Sequence, residues 1–239
     1  MTYADITTND RNPVKSWLQR RRLDDALWYV QHSTPRTWDG AMLDFGGGDG
    51  GLCARVKDRY PHASVTCYEP AAEIRKEAES ALQGTGVLVT ASLDPTSRYD
   101  LITCCEVFEH LPAQASSAAL DTIKNALTPA GTAVLGVPNE IFAVGLLKGL
   151  FRMTRRYGQY DARWDTVLAA AAGRPKQDRP HLGIDGMPFI YPHTGFDFRV
   201  LRAQLAAHGL QPKRVYGSPL HRWPQAVNSE VYLVCRSHG

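Results

Sequence analysis

"DFGGGDGG", residues 44–51, places five glycines in eight positions, directly after the apolar run Ala41-Met42-Leu43. Glycine at that density costs backbone entropy, so the chain there must be bent sharply or approached closely. A buried strand, a glycine-rich turn and a helix in succession put bare backbone at the carboxyl edge of a parallel sheet. Ligands of doubly wound folds bind in that crevice. Read as Gly46-x-Gly48-x-x-Gly51, the loop fits the dinucleotide fingerprint; read from Asp44, it fits a different ligand, taken up below.

The alternation continues outward from the loop. The first strand is Ala41–Phe45, and a helix is expected from about Leu52 to Arg59, stopped before Pro61. Ser64–Tyr68 is a second strand with Glu69 at its end, residues 71–83 a helix, and Val87–Thr90 a third strand. Tyr99–Cys105 is a fourth strand, Ala115–Leu127 a helix and Thr132–Val137 a fifth strand. Buried strands alternating with helices imply a parallel sheet covered on both faces. Upstream, residues 13–31 are expected to form one amphipathic helix. Pro13 suits its first turn, and Val14, Trp17, Leu18, Leu27 and Val30 recur at helical spacing.

After Asn139 the rhythm breaks, and no strand is expected before about Gly195. That stretch is too long to be a plain connection. It holds an apolar helix, Ile141–Met153, and then a Pro/Gly/charge-rich part from Gly173 to Pro192. A helix (Phe196–His208) and two β-rich runs (Gln211–Tyr216, Glu230–Cys235) follow. The expected fold is α/β, a doubly wound, mostly parallel seven-stranded sheet with an antiparallel last strand and a helical insertion after strand five. Residues 1–38 would form an N-terminal helical cap, 39–139 with 196–239 the ligand-binding domain, and 140–195 a substrate lid.

Composition sets bounds on partners. The 239 residues carry 27 Lys/Arg against 24 Asp/Glu, a net charge of +3, too mild for a nucleic-acid partner to be expected. Residues 140–195 alone carry eight basic against five acidic residues, the same surplus of three. The five cysteines (53, 67, 104, 105, 235) show no C-x-x-C pair and no zinc spacing, and read as reduced core residues of a cytoplasmic protein. Met1 to Asn12 is polar, so no signal peptide is expected, and no segment reaches transmembrane length.

Asp44 separates the two readings of the loop. A carboxylate at the end of the first strand repels a pyrophosphate but attracts a cation. For a unit pair at about 4 Å, with an effective dielectric near 20, that is about 4 kcal/mol in either direction. Glu69 suits the two hydroxyls of a ribose, since a carboxylate accepts two hydrogen bonds. The plain alternative for Asp44 is a turn carboxylate that bonds loop N–H groups.

Taken together, "MLDFGGGDGG", "SVTCYEP", "YDLITCCEVFEHL" and "GTAVLGVPN" resemble the class I S-adenosylmethionine-dependent methyltransferases, of the broad bacterial type that includes ubiquinone-biosynthesis O-methyltransferases. The resemblance covers about residues 40–139, and more loosely 193–235. It implies S-adenosylmethionine as cofactor, with Asp44, Gly46 and Gly48 along its methionine part. Glu69 would take the ribose, Pro70 would lie beside the adenine, Ser92 and Leu93 would edge it, and Cys105 would sit near the cofactor. Glu106 and His110 match the family's E-V-x-E-H stretch, which could equally be a polar strand-end turn. The family often has an acidic residue near Ser92-Leu93, here displaced to Asp94. "NPVKSWLQRRRL" resembles a segment whose basic residue closes over the methionine carboxylate, here Lys15 or Arg22, unless it is simply a solvated basic face.

For the acceptor, a small molecule methylated on a hydroxyl is expected, namely a sugar, a natural product or a quinone-like phenol. His193 and His181 are the candidate general bases, since histidine is matched to neutral pH. Glu140, Arg152 and Asp185 are the candidate acceptor-binding residues. No metal is expected, because the sequence shows no clustered carboxylates. The helix "EIFAVGLLKGLFRMTRRYGQY" could pack in the core or a homodimer, cover the substrate, or touch a membrane surface, and its Arg152, Arg155 and Arg156 could equally hold a phosphate or carboxylate on the acceptor. An NAD(P) oxidoreductase and a non-catalytic cofactor binder stand as the alternatives.

Overall fold

The computed structural model describes residues 13–184 and 187–237, with side chains for all of these except 13–16, 18, 19, 182–184, 187 and 188. Helices α1 (Pro13–Ala26) and α2 (Trp28–Ser33) lead into β1 (Ala41–Phe45), α3 (Gly51–Arg59), β2 (Ser64–Tyr68), α4 (Ala72–Ala81) and β3 (Leu88–Thr90). Then come β4 (Tyr99–Cys105), α5 (Ala113–Ala126), β5 (Leu127–Pro138), α6 (Phe142–Arg156), α7 (Trp164–Ala171) and a hairpin of β6 (His181–Ile184) and β7 (Met187–Ile190). Helix α8 (Phe198–Ala207), β8 (Leu210–Ser218) and β9 (Glu230–Ser237) complete the chain.

Seven strands form one sheet in the order β3-β2-β1-β4-β5-β9-β8, with β9 antiparallel to both neighbours and the first five strands parallel. This is the doubly wound sheet with an antiparallel last strand that the alternation implied. Strand order reverses between β1 and β4, so the crevice at their carboxyl ends is the topological switch point. Successive side chains of a strand face opposite ways. Met42 enters the core beneath α1 and α3 with Leu52, Val56 and Val65, while Leu43 enters the other with Ile102, Leu120, Leu135 and Leu205. The five cysteines are free thiols, four of them buried.

Three expectations need correction. The N-terminal helix is two helices, separated at the fully buried Leu27, and Trp17 is 56% exposed instead of joining the apolar face. The 139–195 segment is not strand-free. It carries α6 and α7, packed through Gly149 onto Val167, and the antiparallel β6–β7 hairpin. Strand β5 starts five residues earlier than expected, passing through Pro129-Ala130-Gly131 with an irregularity in its pairing to β4.

Candidate cofactor and acceptor site

The glycine loop after β1 is held closed by its own amides. Gly46 and Gly47 N–H both donate to the Tyr68 carbonyl (2.8 and 3.0 Å), Gly48 N–H to Glu69 Oε2 (3.1 Å) and Gly50 N–H to the Gly47 carbonyl (3.0 Å). Gly51 N–H, at the start of α3, is taken by Asp49 Oδ1 (3.0 Å). A phosphate cradle needs such groups unpaired and aimed at the anion; here five of them are already spent. Gly46 and Gly48 have φ of +74° and +57°, which glycine adopts without strain. A Cβ on Gly46 would also stand 2.5 Å from Val107 Cγ2.

Beside this loop lies a small cavity of about 140 Å³, bounded by Gly46, Gly48, Asp44, Asp49, Cys105, Glu106, Glu230 and Arg22. Asp44 is buried, accepting from the Thr103 hydroxyl at 2.7 Å, with the Cys53 thiol 3.6 Å away. Its partners are thus strand and helix side chains rather than loop amides. Burial pushes its carboxyl up to about 6, against the two donors. Arg22 pairs with Glu106 and, at 3.5 Å, with Glu230. Burial works against both carboxylates, but Arg22 holds Glu106 down while Glu230, facing Glu106, is held up. Glu106 itself has φ of +57°, a left-handed conformation rare for a non-glycine residue, at the strand end where β4 meets the cavity. Four carboxyl groups to one guanidinium suit a ligand with a cationic end.

A larger cavity of about 700 Å³ adjoins it, and Gly46, Gly48, Cys105 and Glu106 line both. Glu69 and Pro70 stand at its loop side. Glu69 accepts from the Gly48 and Ala71 amides (3.1 and 2.9 Å), leaving carboxylate lone pairs for two further donors. Burial still raises its carboxyl. The far wall is apolar and aromatic, with Val107, Leu111, Phe189 and Tyr191, and carries Arg152, Arg156, His110 and His193. His193 Nε2 is 3.3 Å from His110 Nε2, and burial lowers His193 to about 4. Arg152 is fixed from behind by Glu140 (2.8 and 3.1 Å), which also takes Lys148 at 3.0 Å. The two cations overcome burial and hold Glu140 at about 2.

The expected residues therefore divide. Asp44, Gly46, Gly48, Cys105 and Arg22 meet at the smaller cavity, and Glu69, Pro70, Arg152 and His193 at the larger one. Glu140 lies behind Arg152 and lines neither. His181 is exposed on β6 and away from both linings, and Ser92 and Leu93 line neither. Asp185 and the Lys15 side chain lie outside the described residues. Arg156, offered with Arg152 for an anionic group of the acceptor, also lines the larger cavity, while Glu230, Phe189 and Tyr191 were missed. For the last two a signal existed: Asp185-Gly186 between short apolar runs is a hairpin dipeptide.

A family profile described as "Methyltransferase domain" matches residues 19–175. No curated protein matches the chain by sequence. Solved structures share the fold at low identity. An S-adenosylmethionine-dependent methyltransferase from Clostridium acetobutylicum is 10% identical, with a TM-score of 0.65 over 99% of this chain and 98% of that one. Magnesium protoporphyrin IX methyltransferase from Synechocystis, with bound S-adenosylhomocysteine, is 14% identical, with a TM-score of 0.61 over 96% and 89%. Mitomycin 7-O-methyltransferase is 16% identical, with a TM-score of 0.55 over 100% of this chain and 61% of that one.

Proposed function

The chain belongs to the family of methyltransferase domains, and from that premise we propose that it transfers the methyl group of S-adenosylmethionine to a hydroxyl of a small, largely apolar acceptor. One observation carries the choice of cofactor over a dinucleotide. The loop amides at 46, 47, 48, 50 and 51 are occupied internally, and carboxylates surround the cavity beside them. That arrangement disfavours a pyrophosphate and favours an ammonium and a sulfonium.

Bound there, S-adenosylmethionine supplies a methyl on an already activated sulfur, so the protein has chiefly to align the partners and exclude water. Asp44 and Glu106 face the amino-acid end with Arg22 beside them, and Glu69 keeps two acceptor positions for the ribose diol. Gly46, Gly48 and Cys105 form the passage between cavities through which the methyl moves. The acceptor occupies the larger cavity, its apolar body against Phe189 and Tyr191 and its polar arm toward Arg152 and Arg156. Residues 140–195 act as the lid that supplies these side chains. Burial keeps His193 neutral, so its imidazole is free to accept the proton of the acceptor hydroxyl.

The test is transfer of labelled methyl from S-adenosylmethionine to a panel of hydroxylated aromatic acceptors, with and without His193→Ala. Turnover on a phenolic acceptor, reduced roughly 10²–10⁴-fold in the variant, is the expected result. Cofactor binding with no turnover on any acceptor would leave a non-catalytic binder instead.

A further inference from the structure

Asp25 is a carboxylate sealed inside the molecule, 2% exposed, and it lines neither cavity. A buried charge costs several kcal/mol unless partners surround it. Three side chains gather round it here. The Ser218 hydroxyl donates to Oδ2 at 2.6 Å, and Arg21 Nε lies 3.2 Å from Oδ2 and 3.1 Å from Oδ1. The His221 imidazole Nε2 stands 2.7 Å from Oδ1. Arg21 is one helical turn upstream on α1, but Ser218 ends β8, 193 residues further along the chain, and His221 lies in the loop after it. A contact of that reach, made beside a site but not in it, calls for a reason.

The same part of the chain also grips the backbone of α1. The Tyr216 hydroxyl donates to the Asp25 carbonyl at 2.8 Å, an oxygen of the last turn that has no partner within the helix. The Tyr232 hydroxyl donates to the Arg22 carbonyl at 2.7 Å. These two tyrosine rings are stacked 5.0 Å apart, and Trp28, at the start of α2, packs on Tyr216 at 5.1 Å and on His221 at 4.8 Å. Each contact falls on or beside Arg22, Leu23 and Ala26, the residues of α1 that wall the smaller cavity. The last turns of α1 are therefore clamped by β8, β9 and the loop between them, and the clamp sets where Arg22 stands.

We propose that Asp25, Ser218 and His221 form a latch that positions Arg22 to take the carboxylate at the amino-acid end of the cofactor. Asp25, Ser218 and His221 are positioning residues; Arg22 alone meets the ligand. A guanidinium grips a carboxylate through two parallel N–H···O bonds, so the pairing is strict in direction as well as distance. A displacement of about 1 Å in such a group costs up to about a hundredfold. A helix pinned one turn beyond Arg22 prevents that displacement, which a long side chain on a free helix end cannot do. In the empty cleft Arg22 pairs with Glu106 and Glu230. The incoming carboxylate takes Arg22 from them, and the incoming ammonium meets Glu106 in its place, so the exchange conserves charge. The sequence could not mark this latch, because its two halves stand near opposite ends of the chain.

This inference rests on the proposed placement of the amino-acid end beside Arg22, and the test keeps the two apart. The full-length protein is titrated calorimetrically with S-adenosylhomocysteine and with 5′-methylthioadenosine, which keeps the nucleoside and thioether but lacks the amino-acid end. Both titrations are repeated on Ser218→Ala, Asp25→Asn, Arg22→Met, and Arg22→Met combined with Ser218→Ala. Affinity for S-adenosylhomocysteine should fall at least about tenfold in Ser218→Ala and in Asp25→Asn. Affinity for 5′-methylthioadenosine should change by less than about twofold, which also shows that these variants fold. Adding Ser218→Ala to Arg22→Met should cost nothing further, since a latch acts only through the residue it positions. Equal losses for the two ligands, or losses that add in the double variant, overturn the latch alone. A parent protein that binds S-adenosylhomocysteine no more tightly than 5′-methylthioadenosine overturns the placement of the amino-acid end, and the latch with it.

Discussion

Asp44 shows how one residue can be read correctly in kind and incompletely in setting. Its position after an apolar strand marked it in the sequence as a ligand-facing carboxylate. The donors that hold it, Thr103 and Cys53, sit 59 and nine residues away and could not be seen without the fold. Its carboxyl, at about 6, lies above the 3.8 of an unperturbed aspartate. The folded protein therefore holds an extra proton between those values, and this group's contribution to stability falls as pH rises from about 4 to about 6. A cationic ligand prefers the ionised form, so affinity for S-adenosylmethionine should weaken as pH is lowered through about 6. Asp44→Asn should cost roughly ten- to a hundredfold in that affinity, and less for the uncharged sulfur of S-adenosylhomocysteine. Calorimetry at pH 5 and 7.5 reads both effects; equal affinity at the two pH values would remove Asp44 from cation recognition.

Among the elements, the 140–195 segment depends on one buried carboxylate. Glu140 is 1% exposed and gathers Lys148 and Arg152 from α6. Glu140→Gln should destabilise the protein by roughly 2–3 kcal/mol, below the range for a fully buried pair because both cations keep some contact with water. Because its folded value, about 2, lies below the ordinary 4.5, its contribution is present above pH 4.5 and is lost as pH falls toward 2. Urea unfolding of parent and variant at pH 7 and pH 3 should show the gap narrowing in acid. A gap that stays constant would mean the pair contributes nothing through charge. The strands of the sheet were legible because buried parallel strands are continuous apolar runs. The β6–β7 hairpin was marked only by its Asp185-Gly186 dipeptide, since four-residue strands containing Gly183 and Pro188 carry almost no alternation. Helix α6 was legible as apolar, but not the face it buries. Gly145 and Gly149 turn inward, and Leu147 and Phe151 stay 67% and 60% exposed.

For the molecule as a whole, the sheet's switch point sets a cation-favouring cleft against an apolar chamber, with Cys105 and Glu106 shared between them. No described helix is long and apolar enough to cross a membrane. Most of the cleft was legible in the sequence because Asp44, the glycines and Cys105 stand at the ends of two apolar strands, β1 and β4; Glu230, at the start of β9, carried no such mark. The chamber was not, because it is assembled from β2, β4, α6 and the hairpin across more than a hundred residues. All of it turns on what enters the cleft. Calorimetric titration of the purified protein with S-adenosylhomocysteine and with NAD decides this most directly. One-to-one binding of S-adenosylhomocysteine, with NAD at least a hundredfold weaker, is the expected result; NAD binding as tightly or more tightly would contradict it.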